Sequence, residues 1–215
     1  MEHNISSSSA YRKLRTNIEY KEKHPHIHSV CLTGVEHGAG ATTVSINLAY
    51  CFVANTPKVL LLDCNIKDPH IHECFNIKND FGLTDILEDN DYTNYLKYAK
   101  VIKDSYSDNE LHIITAGNER KHPIDLLSGQ SFKKFMQLMK SEYDFIIVDC
   151  PNLESCSDVI PVSHLVDGTI LVVSLPETDK NMAKKSIERL KRNGAEVLGT
   201  VLNKVEWAYI LFLFL

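Results

Sequence analysis

Short apolar runs alternate with longer amphipathic stretches along this chain. Val30 to Leu32, Val59 to Leu62, Leu111 to Ala116, Phe145 to Val148, Thr169 to Ser174 and Val197 to Leu202 are brief and mostly continuous in their hydrophobicity. Continuous runs of that length fit strands buried on both faces of a parallel sheet. Helical spacing marks other stretches: about Ala10 to Tyr20, a segment opened by Thr42 and Thr43 that carries Val44, Ile46, Leu48 and Ala49, then Pro123 to Leu127, Gln130 to Lys140, Asp158 to about Val166, and Lys180 to Arg192. Phe132, Phe135, Met136 and Met139 lie on one stripe and read as core. Gly82 to Leu87 reads as a turn and short helix, and Tyr92, Tyr95 and Tyr98 as core and surface aromatics at helical spacing. Ser6 to Ser9 stand where a first helix would be capped. Strands alternating with helices predict an α/β domain, a mostly parallel central sheet flanked by helices with right-handed crossovers. The expected organisation is one domain over residues 1–206 and an apolar tail over 207–215.

Two sheet-edge features carry chemistry. Between the first apolar run and the helix opened by Thr42 lies a loop with Gly34, Gly38 and Gly40. Glycines let backbone amides turn toward phosphate, and a helix N-terminus adds partial positive charge. The expected pattern is G-x-x-x-x-G-K-[ST]. Gly34 to Gly40 is one residue too long for it, and the lysine position holds Ala41. Gly38, Ala39, Gly40, Ala41, Thr42 and Thr43 are nonetheless the candidate phosphate-binding stretch. The second feature is a pair of apolar strands that each end in a carboxylate, KVLLLD at Asp63 and YDFIIVD at Asp149. An apolar strand ending in Asp beside a glycine loop is the usual Mg²⁺-side partner. The last strand ends at Asn203, the remaining candidate nucleotide contact.

Composition narrows the picture only a little. The 215 residues carry a net charge of −5, which argues against a broad basic surface for nucleic acid. Six scattered cysteines without paired spacing read as reduced thiols. The start has no apolar run resembling a secretory signal, and no stretch reaches the roughly 20 apolar residues of a membrane span. His24, His26 and His28 alternate, as do His70, His72 and Cys74. In extended chain each set would point to one side, but neither is completed by further ligands, and loop readings outweigh metal ones. Arg12 and Arg15 lie three apart on the first helix, which by itself reads as a solvated face. The tail WAYILFLFL from Trp207 is too short to span a bilayer. An edge strand, a partner-docking segment, a membrane-surface segment and a truncated or shifted end all remain open for it.

Taken in order, these segments resemble the cytoplasmic domain of bacterial tyrosine kinases (BY-kinases), P-loop proteins that regulate capsule and exopolysaccharide synthesis. The resemblance runs from about Ser9 to Val205. AYRKLRTNI matches the family's N-terminal helix, TGVEHGAGATTVSINLA its Walker A stretch, VLLLDCNIKDP its second acidic strand (Walker A′), GLTDIL and HPIDLLSGQSF its centre, YDFIIVDCPN its Walker B and VLGTVLNKV its last strand. It implies a P-loop NTPase-type fold, ATP and Mg²⁺ as cofactors, and Thr42, Asp63 and Asp149 as the metal side. It further implies a membrane-embedded polysaccharide co-polymerase or modulator as partner, and a cytoplasmic position at the inner face of the membrane through that partner.

The departures fall on the phosphate side. The family's Walker A lysine becomes Ala41, and the second aspartate of Walker A′ becomes Asn65. The oligomerisation motif E-x-x-R-x-x-R keeps Arg12 and Arg15 but has Ser9 for its glutamate, so homo-oligomers are expected to be weak. The C-terminal tyrosine cluster is missing, with Tyr209 alone in the tail. A regulator with weakened nucleotide binding and weak or lost kinase activity is the reading these departures favour. An active autokinase in which Lys67 or Arg120 replaces the lost cation is the alternative. A partitioning-type ATPase is opposed by the AYRKLRTNI helix and by Glu36, where those ATPases carry a second lysine.

Overall fold

A computed structural model of the chain describes residues 9–20, 27–90, 92–154, 157–175, 177–204 and 211–214. Six strands run parallel at its centre: β1 (Ser29–Gly34), β2 (Lys58–Asp63), β4 (Glu110–Ile114), β5 (Phe145–Asp149), β6 (Gly168–Ser174) and β7 (Val197–Asn203). Two antiparallel strands, β3 (Ala99–Lys103) and β8 (Leu211–Phe214), close the edges, giving the order β3-β4-β2-β5-β1-β6-β7-β8. The strands expected from continuous apolar runs are the six parallel ones. β3 was not expected. Its AKVIK sequence is largely exposed, as an edge strand's is, so it lacks the apolar run that marks the centre of the sheet. Residues 211–214 of the tail form an edge strand, while Trp207 and Tyr209 lie outside the described residues.

Strand parity sorts side chains into two layers. Val30 and Leu32 of β1, Val59 and Leu61 of β2, and Phe145 and Ile147 of β5 face one core. It is covered by α1 (Ser9–Glu19), α2 (Ala41–Val53) and the short α3 (Ile71–Phe75). Phe52 of α2 stacks on Phe145 with ring centroids 3.6 Å apart. The alternate residues Cys31, Leu60, Leu62, Ile146 and Val148 face the second core. That layer is covered by α4 (Leu83–Asp89), α5 (Pro123–Ser128), α6 (Gln130–Glu142), α7 (Val159–Ser163) and α8 (Lys180–Arg192). The predicted stripe of Phe132, Phe135, Met136 and Met139 is buried there. Tyr95, in a 3-10 helix over Tyr92–Lys97, is buried as well, and Tyr92 and Tyr98 pack at its margin. Helix α7 is shorter than the sequence suggests, ending at Ser163.

Residues 71–75 form helix α3, so the apparent alternation of His70, His72 and Cys74 does not set them on one side of an extended chain. No group of three or more histidine, cysteine, aspartate or glutamate side chains placed to hold a metal ion occurs among the described residues. His24 and His26 lie outside those residues. His28 is tied into the fold instead, its ring on the Asp144 carbonyl at 3.3 Å. Cys31, Cys51, Cys64, Cys74 and Cys150 form no disulfide with one another.

Asp167, in the turn before β6, pins the start of β1 to helix α6. Its carboxylate accepts the His28 amide at 2.9 Å, the Ser29 hydroxyl at 2.8 Å and Lys140 Nζ at 2.7 Å. Burial raises this carboxyl, but Lys140 and the two donors outweigh it and hold it below the ordinary carboxylate value. A depressed folded value means the stabilisation is present above the unfolded value near 4 and is lost as pH falls below it. Asp167→Ala should therefore cost about 1–2 kcal/mol in urea denaturation at neutral pH, at the low end because the site is partly solvated. The difference from the unaltered protein should shrink as pH is lowered from about 4 toward 2.

Candidate functional site

The carboxyl edge of the parallel strands, where open α/β sheets bind ligands, gathers the predicted residues. Asp63 and Asp149 end adjacent strands and are paired in register. Both occupy positions whose parity faces α2, so the first turn of that helix closes over them. Thr42 Oγ1 donates to Asp149 Oδ2 at 2.7 Å, and Ser45 Oγ donates to Asp149 Oδ1 at 2.9 Å. Asp149 is thereby held by two hydroxyls. Asp63 Oδ1 accepts the Asn65 amide at 2.9 Å, and its other oxygen is buried without a partner among the described residues.

Two fully buried carboxylates side by side are costly as anions. Burial pushes Asp149 up to about 6, against the pull of the Thr42 and Ser45 hydroxyls and the nearby His70. Asp63 is pushed well above the carboxylate range by burial first and by the neighbouring Asp149 charge second. An orphaned carboxylate oxygen beside a second carboxylate and a threonine hydroxyl is an oxygen donor set suited to a hard divalent cation such as Mg²⁺.

Above the carboxylates runs the glycine loop. Gly38 and Gly40 take left-handed φ values of 79° and 90°, a conformation that disfavours other residues. Gly40 is also pressed from behind: a Cβ there would lie 2.1 Å from Asn203 Nδ2. That amide donates to the Ala39 carbonyl at 2.9 Å, so Asn203 braces the back of the loop. Glu36 accepts a hydrogen bond from Thr178, tying the front of the loop to the segment after β6. Helix α2 starts at Ala41 with no side-chain cap, and the amides of Ala41, Thr42 and Thr43 have no acceptor among the described residues. Three open amides at a helix N-terminus form an anion cradle.

A cleft of about 530 Å³ opens over this edge. Its floor is the loop from Gly38 to Thr43, and its walls include Glu36, His37, Asn65, Lys67, Asp68 and His70. Among the described residues Lys67 is the one lysine or arginine lining it, and it has no ion pair with any of them. Arg120, the other cation suggested by the sequence, does not line the cleft. Its guanidinium is bound to Glu88 at 2.6 and 2.8 Å and lies 3.6 Å from Asp85. Asn65 does more than lack a charge: its Nδ2 donates to the Asp68 carbonyl at 2.5 Å, closing the loop after β2.

Ser45, His37 and Asp68 were not singled out from the sequence. Ser45 lies three residues after Thr42, hence on the same helix face, and that spacing was the available signal. His37 and His70 flank Asp68 at 3.6 and 3.8 Å, a meeting of two loops distant in sequence. Arg15 is not part of a freely solvated face. Its Nη1 donates to the Cys51 carbonyl at 3.1 Å, near the C-terminus of α2, where a cation is favourable.

Relieving the carboxylate pair should be visible without any ligand. Asp63→Asn should raise the melting temperature of the metal-free protein at neutral pH by at least about 2–4 °C, the shift expected for roughly 1 kcal/mol in a domain of this size. The same variant should lose any further rise that Mg²⁺ confers on the unaltered protein. Thermal melts with and without Mg²⁺ read both effects.

Comparison with known proteins agrees with this geometry. Residues 28–205 match the AAA domain family. The chain is 32% identical over 199 residues to tyrosine-protein kinase YwqD of Bacillus subtilis, covering 92% of this chain and 81% of that protein. It is 28% identical to tyrosine-protein kinase CpsD of Streptococcus agalactiae, covering 91% and 81%. The kinase domain of Escherichia coli tyrosine kinase ETK superposes with a TM-score of 0.81 at 25% identity, covering 95% of this chain and 79% of that one. Matched over most of its length by tyrosine-protein kinases and by a solved kinase domain, the chain belongs to the BY-kinase family of P-loop proteins.

Proposed function

We propose that this chain is a regulator of capsular or exopolysaccharide synthesis that binds Mg²⁺–ATP with reduced affinity and transfers phosphate weakly or not at all. The observation that carries the reading is the imbalance of the cleft: Thr42, Asp63 and Asp149 are assembled, while the lysine position holds Ala41. Thr42, Asp63 and Asp149 would hold the Mg²⁺, and the amides of Ala41 to Thr43 would take the phosphates. When bound, the cation neutralises charge on the phosphate oxygens. The amides favour phosphate in the ground state, so binding should be weakened more than abolished. Charge that develops on the moving phosphoryl group goes unanswered at Ala41, and Asn65 has no carboxylate to accept a proton from a tyrosine hydroxyl. Removing one preorganised donor from such a site costs on the order of 10²–10³ in rate.

A second reading, an active tyrosine autokinase, is favoured by Lys67, a cation on the cleft wall with no ion pair among the described residues. The partitioning-type ATPase is disfavoured by Glu36, an acid bonded to Thr178 at the place of those enzymes' second lysine. The partner in either kinase-family reading is a membrane-embedded modulator, which would hold the protein at the inner face of the membrane.

Nucleotide titration and tyrosine phosphorylation of a supplied substrate test the proposal together. Ala41→Lys should raise ATP affinity at least about tenfold, the effect of roughly 1.4 kcal/mol. Adding Asn65→Asp should raise phosphorylation on the order of 10²–10³-fold, less whatever is lost with the Asn65–Asp68 contact. An unaltered protein that already matches the double variant sinks the proposal in favour of the second reading. A double variant that binds no nucleotide leaves the chain a structural role.

Assembly provides a separate expectation. Ser9 leaves Arg12 and Arg15 without the family's glutamate, and Arg15 is already engaged within its own chain. Light scattering at low micromolar protein should report a monomer or a weak oligomer, and a stable ring would contradict this.

A further inference from the structure

The net charge of −5 conceals one strongly basic surface. Helix α8 reads KNMAKKSIERLKR. Leu190 is buried, and Met182, Ala183 and Ile187 pack against the core beneath it. At 100° per residue, Lys180, Lys184, Lys185, Lys191 and Arg192 fall within an arc of about 140° on the opposite side. All five are exposed, and none has an ion pair with a described residue. Glu188 is the single carboxylate within the arc. The acids bordering the helix are engaged elsewhere. Asp179 caps the amides of Asn181 and Met182, Glu177 holds Lys204 and Ser174, and Glu196 has a partner of its own.

An isolated basic face could meet several polyanions, and its surroundings discriminate. Helix α8 packs on β7, and the strand beyond β7 is β8, whose sequence is LFLF. A helix face with five cations unpaired among the described residues supplies the electrostatic attraction that holds a protein on an anionic bilayer surface, and the chain beyond β7 adds a segment of apolar sequence, a second signal for such a surface. The cations occupy one face about 20 Å long, without the groove or stacking aromatics of a nucleic-acid track. No helix among the described residues is long and apolar enough to cross a membrane, so surface contact is the mode open to these elements.

We propose that the exposed face of α8 docks on anionic lipid headgroups, laying the β7–β8 edge of the sheet against the membrane. Such contact would supplement a protein partner and does not rest on nucleotide binding or kinase activity.

Co-sedimentation of the full chain with phosphatidylglycerol-containing vesicles and with pure phosphatidylcholine vesicles tests this. Binding should require the anionic lipid and weaken sharply as salt rises from about 0.1 M to 1 M, where the screening length falls from about 10 Å to about 3 Å. Each lysine near an anionic surface contributes roughly a fivefold factor, so Lys180→Gln, Lys184→Gln and Lys191→Gln together should lower partitioning on the order of a hundredfold. The three Lys→Arg changes should preserve it, and the melting temperature and ATP titration of each variant should match the unaltered protein. Equal binding to phosphatidylcholine would show that apolar insertion alone suffices and would overturn the proposal. So would an unchanged partition in the glutamine variant, or binding to a DNA duplex in the absence of vesicle binding.

Discussion

Everything at the ligand edge depends on holding Asp63 and Asp149 next to each other in a buried site. Two carboxylates in register on adjacent strands repel, and burial adds to the cost of ionising either. The fold tolerates them through the first turn of α2. Thr42 and Ser45 each donate a hydroxyl to Asp149, and the Asn65 amide donates to Asp63. The same helix turn leaves three amides facing the cleft, so phosphate cradle and cation site are one assembly. Asn203 and Thr178, contributed by the far side of the sheet, then fix the loop from behind and in front. An error in the packing of α2 would misplace every one of these groups.

The sheet was legible because its central strands are buried on both faces. VLLL and FIIV admit few other readings, and an acid at the end of such a run has to lie at the strand edge. Helix α8 was equally clear, from Lys180 to Arg192, because its apolar stripe is narrow and its other face polar. What escaped were elements whose stability comes from neighbours. Strand β3 has too little buried surface to leave an apolar signature, and α3 is a five-residue helix over what looks like alternation. At the site, the paired acids and the glycine loop could be read from position alone. The brace from Asn203, the grip of Ser45 on Asp149 and the commitment of Asn65 to its own loop are contacts, which spacing does not reveal.

That commitment changes what the substitution at residue 65 means. An aspartate there would add a carboxylate near Asp63, Asp68 and Asp149 and would remove the donor that now holds the Asp68 carbonyl. Asparagine leaves the cleft less negative than aspartate would and ties its own loop through the Asp68 carbonyl. Alanine at residue 41 removes positive charge from the same space. On the reading that residues 41 and 65 stand where the family has lysine and aspartate, the two changes offset in net charge and the site is not left more anionic. This is a physical reason for the two to occur together, and it favours retained phosphate affinity over retained chemistry, because chemistry needs the particular charges rather than their balance.

The proposed weakness of phosphoryl transfer agrees with where the chain's cations lie. Among the described residues one lysine or arginine lines the cleft, while six lie on the thirteen residues of α8. Charge on an exposed helix costs little and acts over about a Debye length, whereas charge in a half-buried cleft must be desolvated and is strong only at short range. A protein weighted toward the first is suited to positioning itself against something large and anionic. One weighted toward the second is suited to reacting with something small. On this chain the cleft holds paired carboxylates and open amides, the groups proposed to take Mg²⁺ and phosphate, and the long-range charge sits on another face. On the two proposals the cleft and the exposed face of α8 lie on different elements, so binding at one does not require binding at the other.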